Sequence, residues 1–490
     1  MRQEWRSSSF PLTPPLHRHL LRLLRRRLLL FLLHFHTRAI GAGDCTVTLP
    51  GDGPRLHASR GGLSLRDCVD AAFSSSSAIL GNQSGLDLIT SIHFNISSSA
   101  IGHEHLSING AYHIQLRAPL VLGSTLPGRS ASLTIEGATQ PDGLPIVVTP
   151  DWADADLARF PAARHSWADG TAGGNVTLRD LSFVGFGAGN GDGDGDGEAH
   201  AALLARLPRA GMDSLTLERC TVNSSLWSGV VVDSGGGSLT LVASAVTGSM
   251  GGHGIHSKGD FRGAVEVHNS VVSGCAGNGV LVEGAASRLT VSNSTVGSTS
   301  GVGAIRSAAA ATTISTSYVG VARDGSSLPN LHGVYLDSSA VDSTVVGTVV
   351  GNSVRHGIWT NAASTSITSC LVGIGRDNGH TPNGGNGVRS AVPHTVIRGT
   401  IIGNSGGHAI NADGTHTETV DSFLGVTPAG MHIPNGGAGI RHGSSSAMNI
   451  IRNSVIGNAR GAAGIDASAS QTTIEDSFFG VTPGVSLAWG

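Results

Sequence analysis

The side chains best placed for chemistry recur at matching positions of successive repeats. Tyr335, Trp359, Arg389, Asn411 and Arg441 fall in one column, and Asp337 and Asp413, two residues further on, fall in a second. An aromatic pair beside carboxylates and guanidinium groups is the composition of a glycan-binding strip. Apolar sugar faces stack on rings, while charged groups hold hydroxyls or uronates. The same residues would also serve as ordinary solvated positions with charges alternating for solubility, and that reading stays open. A polysaccharide-modifying enzyme (lyase, hydrolase or epimerase) is the alternative use of the strip, with no catalytic residue assignable. Asp337 and Asp413 lie three repeats apart, ~14 Å at the spacing of neighbouring strands. That exceeds the ~6.5–9.5 Å of an inverting carboxylate pair. No repeat carries the adjacent Asp-Asp or Asp-x-x-Asp cluster that a hydrolase or calcium-dependent lyase needs on one surface.

Other chemistry is sparse. The sequence has no Gly-x-Ser-x-Gly elbow, phosphate loop, His-Glu-x-x-His or paired CxxC. His103-Glu104-His105 is too short to hold a metal by itself. Asp192, Asp194, Asp196 and Glu198 alternate with glycine, like the first half of a calcium loop. The bidentate Glu expected eleven residues after the first ligand is missing, because Leu203 follows Asp192 and Ala205 follows Asp194. A solvated loop is the expected reading, Ca²⁺ the alternative, and no cofactor is required. Lys258 is the single lysine, which removes most lysine-based chemistry. His253, His332, His356 and His408 share one position that Asn fills in other repeats, so they read as a structural ladder.

The columns exist because the chain repeats itself. Tyr318-Val319-Gly320, Leu371-Val372-Gly373, Phe423-Leu424-Gly425 and Phe478-Phe479-Gly480 recur at intervals of 53, 52 and 55 residues. Each period holds two units that open on a residue, then Gly or Ala, then Ile or Val, as in His332-Gly333-Val334, His356-Gly357-Ile358 and His408-Ala409-Ile410. Within units the apolar residues alternate, as in Val265-Glu266-Val267-His268, which predicts strands of about 3–6 residues. No unit can bury its apolar face alone, and stacking units creates one continuous core. Gly, Asn and His at fixed places suit bends that demand positive φ. The pattern predicts an all-β, single-stranded right-handed parallel β-helix. With Ile or Val pointing inward, the next residue points outward. That column runs from His256 and Leu281 through Arg306 and Tyr335 to Asp466, and the second includes Lys258, Glu283 and Asn361.

The N-terminal part carries a more specific likeness. Gly61-Gly62-Leu63-Ser64-Leu65-Arg66-Asp67-Cys68-Val69-Asp70-Ala71-Ala72, then Ile92-His93-Phe94-Asn95-Ile96, Ala118-Pro119-Leu120, Leu133 to Gly143 and Val319 to Asn330 follow one order. This order resembles that of a family of secreted right-handed parallel β-helix repeat proteins with the pectate-lyase-like superfold. The resemblance covers roughly residues 44–484 and implies a fold and a surface location rather than one reaction. Leu65, Cys68, Val69 and Ala72 at i, i+3, i+4, i+7 predict a short helix capping the first coil. Leu63, and Cys68-Val69 where the family has Ala-Ile, depart from its pattern.

Composition bounds the rest. The 71 glycines among 490 residues are about twice the usual ~7%, yet 39% of residues are hydrophobic, which excludes collagen and disorder. The formal charge is −3, but residues 1–43 hold eight Arg and one Glu, leaving 23 basic against 33 acidic residues elsewhere. A body at −10 repels phosphate backbones, so no nucleic-acid partner is expected. Residues 1–43 read as a signal peptide, with an Arg-rich start, the apolar run Leu28 to Leu33, and Ala39, Gly41, Ala42 and Gly43 beyond it. The run is too short to span a membrane. A secreted or extracellular-surface location follows. Partners would be a polysaccharide or cell-surface glycan, or a cell-surface protein bound by adhesion. Sequons begin at Asn82, Asn95, Asn175, Asn223 and Asn293. Cys45 and Cys68 could pair, while Cys220, Cys275 and Cys370 read as buried thiols. The expected layout is leader 1–43, cap and first coils 44–150, irregular loop insertions 151–210 and regular coils 211–490. Phe478-Phe479-Gly480-Val481-Thr482-Pro483 predicts an exposed apolar last coil, implying a truncated C-terminus, a missing domain or end-to-end self-association.

Overall fold

The computed structural model describes residues 44–47, 65, 68, 91–94, 112–116, 120–122, 131–139, 145–150, 163–165, 174–186, 201–207, 210 and 213–480, save 458, 461, 462 and 469. The leader and the Asp192–Glu198 loop lie outside them. Strands of two to eight residues form three parallel sheets, here called first (13 strands), second (15) and third (14). Each coil gives one strand to each sheet in turn. Val334–Leu336, Thr344–Val346 and Val349–Val350 make one such coil. Every strand pairs with its counterpart one coil away, and the registers hold along the stack with a single shift between Ala205 and Arg206. All-β architecture therefore follows from period-two patterning in short runs: Val334, Leu336, Val345 and Val350 are fully buried in one core that runs the length of the described coils.

Segment 151–210 contributes strands Ala163–His165, Gly174–Arg179, Leu181–Val184 and Ala201–Leu207 to the stack, and 151–162, 166–173 and 187–200 lie outside the described residues. Leu65 and Cys68 are helical and buried against the core, but the rest of the expected cap, Val69 and Ala72 included, is outside the described set. Cys68 is disulfide-bonded, and the side chain of Cys45 lies outside the described residues. In the last described coil, Ile474, Phe478 and Phe479 are exposed.

The corners differ from expectation in one respect. The glycine of the repeated opening triplet has no positive φ; it is there for room. A Cβ on Gly333 would lie 2.5 Å from the Gly357 carbonyl oxygen and 2.5 Å from Val350 Cγ1. Positive φ falls at other places: before the second sheet at Asp342, Ser364 and His394, after the third sheet at Gly320, Gly373 and Gly425, and between the second and third sheets, where Thr316 (47°), Ser369 (55°) and Asn453 (48°) adopt it, with glycine there only as Gly347 and Gly399. From Cys220 onward the residue after this bend is Ser, Thr or Cys. Its side chain accepts a hydrogen bond from the equivalent backbone N–H one coil earlier, as from Cys220 to Ser244, Ser270 to Ser294 and Ser422 to Ser454.

Candidate functional site

The outward column forms in the order expected. Arg306, Tyr335, Trp359, Arg389, Asn411, Arg441 and Asp466 are successive partners across the first sheet. Side-chain packing then divides the candidates. Tyr335 and Trp359 are half-buried and meet edge to face, with centroids 4.7 Å apart and planes at 84°. The Arg389 guanidinium lies 5.0 Å from the Trp359 ring centre, and that of Arg306 lies 5.6 Å from Tyr335. A sequence of cation, ring, ring, cation on four neighbouring coils results, held by ring quadrupoles as well as by the coil spacing. Asn361 locks it: Trp359 Nε1 donates to Asn361 Oδ1 (3.1 Å) and Asn361 Nδ2 donates to the Tyr335 hydroxyl oxygen (3.1 Å).

The rings are thus not a flat double platform for two sugars. The edge-to-face packing, the covering guanidinium, and His332 and His356 at 5.0 and 5.6 Å leave Trp359 little free face. What the strip does offer is polar. Arg389 Nε and Asn411 Oδ1, on adjacent coils, are buried atoms without a hydrogen-bond partner, and Asn411 is 6% exposed. One is a donor and the other an acceptor, each costing free energy while unsatisfied.

The remaining candidates are not brought into this group. Asp337 Oδ2 accepts from Arg306 Nε at 3.0 Å and is neutralised there. Asp413 stands three coils further along its column, with Asn361 and Ala391 between. Gly443 stands close beside it: a Cβ there would lie 2.4 Å from Asp413 Oδ1 and would turn that carboxylate aside. Arg441 is exposed and faces Asp466 at 3.9 Å. Leu281, expected in the outward column, is almost fully covered. Lys258 pairs with Asp233 at 2.7 Å, beside Arg206 at 2.9 Å, so the single lysine is an ion-pair partner. Among the described residues no group of three or more His, Cys, Asp or Glu could hold a metal ion; the Asp192, Asp194, Asp196 and Glu198 candidate lies outside them.

The turn histidines act as acceptors, a role that the sequence pattern did not specify. Nδ1 of His253, His332, His356 and His408 accepts the backbone N–H of the matching residue one coil on, at 2.8, 3.2, 3.0 and 2.9 Å. Asn278 and Asn386 do the same through Oδ1, which explains why Asn and His exchange there. Burial holds His253, His332 and His356 neutral, pushed down to about 4. Burial also pushes the thiols of Cys220 and Cys370 up to about 12 and about 11, so neither is a nucleophile at neutral pH.

Comparison with known proteins adds to the fold. The family model described as "Right handed beta helix region" matches residues 210–372. No curated protein matches the chain. Among solved structures, tailspike protein 3 of bacteriophage CBA120 is 13% identical with a TM-score of 0.48, covering 81% of this chain and 57% of its own. The chain thus spans little more than half of that protein. The A-module of the Azotobacter vinelandii mannuronan C-5 epimerase AlgE6 is 11% identical (TM-score 0.38), covering 80% of this chain and 91% of that one. The periplasmic alginate epimerase AlgG is 11% identical (TM-score 0.39), covering 76% and 86%. Among the described residues no helix is long and apolar enough to cross a membrane. Three sheets of parallel strands and the family match together make this chain a right-handed parallel β-helix.

Proposed function

We propose that the chain is a secreted or surface-exposed scaffold without catalytic activity that binds a glycan along the outer face of its first sheet. One observation carries the reading: a half-buried Arg306–Tyr335–Trp359–Arg389 stack ends at an unpaired Arg389 Nε and an unpaired Asn411 Oδ1. Both atoms are covered by their neighbours, so a sugar meets them once the Arg389 side chain swings outward; a vicinal pair of hydroxyls then supplies one acceptor and one donor, and the packed rings supply the apolar wall beside them. Stacking is confined to the exposed ring edges, so hydrogen bonds to Arg389 and Asn411 set orientation. Against chemistry at this strip, Asp337 is tied to Arg306, and the next carboxylate of its column is Asp413, ~14 Å away at the coil spacing. The extracellular setting rests on the leader and on the family resemblance.

A panel of neutral and uronate polysaccharides, followed by affinity electrophoresis with product analysis of the same samples, tests this. Binding by the wild type and its loss in Arg389→Ala, with no new reducing ends and no unsaturated sugars, is the expected result. Product formed by the wild type and abolished in Arg389→Ala would overturn the scaffold reading in favour of a polysaccharide-modifying enzyme.

A further inference from the structure

A second group of polar residues lies away from this strip, where the chain leaves the third sheet. After strand Tyr318–Val319 a short hairpin folds back, bridged between Val321 and Ser327, and the same hairpin recurs two coils later between Ile374 and His380. Arg323 and Arg376 stand on these hairpins and converge on one half-buried ring. Their guanidinium carbons lie 5.8 and 5.4 Å from the centre of Tyr318. Arg323 reaches back one coil, where Nη2 donates to the backbone oxygen and, at 2.7 Å, to Oδ1 of Asn293. Arg376 is anchored one coil beyond Tyr318, where Nη2 donates to Gly347 O at 3.1 Å. The two cations therefore bracket the ring along the helix axis, roughly two coil rises, ~10 Å, apart.

Neither guanidinium is paired with a carboxylate among the described residues. The nearest acids in sequence each hold their own hairpin through one oxygen: Asp324 Oδ1 accepts from the Ser326 N–H (2.9 Å) and hydroxyl (2.7 Å), and Asp377 Oδ1 from the Gly379 N–H (2.9 Å), while Asp377 Oδ2 lies near Gly325 of the first hairpin. Two exposed arginines around one tyrosine, neither in an ion pair among the described residues, on a body whose net charge is negative, suit an anionic partner. We propose that Arg323, Tyr318 and Arg376 bind two anionic groups of one acidic polysaccharide lying along the helix axis, with a sugar ring against Tyr318. The sparse charge of such a polymer suits two cations on an acidic body better than a dense phosphate backbone does.

Calorimetric titration with polygalacturonate, chondroitin sulfate and neutral dextran, at low and high salt, tests the site and separates carboxylate from sulfate. Salt-sensitive binding of an acidic polymer, weakened roughly tenfold per arginine in Arg323→Ala and Arg376→Ala, is expected. Arg288→Ala, an exposed arginine of the second sheet, should leave it unchanged. Circular dichroism of each variant verifies the fold. Equal affinities of wild type and the double variant would refute the proposal, as would tighter capture of the chain by RNA or by anionic vesicles through the same arginines. The double variant Tyr335→Ala/Trp359→Ala keeps the two ideas apart: if it retains the salt-sensitive binding, the hairpin site acts independently of the first-sheet strip. If it alone abolishes that binding, the hairpin proposal fails and the strip reading stands.

Discussion

Acidification should loosen the corners held by buried histidines, and His332 shows how. The His332 ring is 1% exposed, and its Nδ1 accepts the His356 N–H. Burial foremost, then His356, Arg355 and Arg389, pushes its pKa down from 6.5 to about 4. As pH falls, the unfolded chain takes up a proton first. The contribution is therefore whole above about pH 6.5, is lost progressively between 6.5 and 4, and loses nothing further below. With about 1.4 kcal/mol per tenfold in proton affinity, the loss reaches about 2 kcal/mol at pH 5 and about 3 kcal/mol at pH 4. Long repeat arrays open locally, so the effect is best read at the bond itself. Hydrogen exchange at the His356 amide, corrected for its intrinsic pH dependence, should speed up roughly 30-fold between pH 7 and pH 5, the equivalent of 2 kcal/mol. His332→Asn should remove most of that change, because Asn278 and Asn386 accept the same bond through an oxygen that does not titrate in this range. Equal acceleration in the wild type and His332→Asn would refute the reasoning.

Three further expectations concern the corners. Gly333→Ala drives a Cβ to 2.5 Å from Gly357 O and should destabilise by about 1–3 kcal/mol; an unshifted thermal midpoint would show that the coils can separate. Gly347→Asn should be neutral or stabilise by up to about 1 kcal/mol, since Gly347 has φ +59°, Asn453 occupies the matching bend, and the nearest atom to a new Cβ is 3.6 Å away; a lowered midpoint would contradict this. Cys220 and Cys370 should resist iodoacetamide in the native chain and react fully once it is denatured, whereas rapid native labelling would mean that the bend opens readily.

What could be read from the sequence follows from what repeats strictly. The opening triplet recurs because a Cβ at Gly333 is crowded, so the position takes only Gly or, as at Ala304 and Ala409, Ala, and that steric demand marks the coils. Period-two alternation then fixes which residues share a face, so Tyr335, Trp359, Arg389 and Asn411 were legible as neighbours. Their packing was not. Edge-to-face rings, the lock by Asn361, and the tie of Asp337 to Arg306 depend on rotamers that spacing does not encode. The Ser, Thr and Cys bend ladder was hidden because three residue types share one role. Arg323 and Arg376 stand 53 positions apart and meet at Tyr318 only because alternate coils of this stretch carry a hairpin.

The central claim is that a glycan binds on the first sheet without being altered. Calorimetric titration of the polysaccharide selected from the panel into wild type and Tyr335→Ala/Trp359→Ala, at a salt concentration that screens the exposed hairpin arginines, checks it at the strip itself. Saturable heat in the wild type, its loss in the variant with circular dichroism unchanged, and polymer recovered intact are the expected results. Undiminished binding by the variant, or a shortened or epimerised polymer, would contradict it.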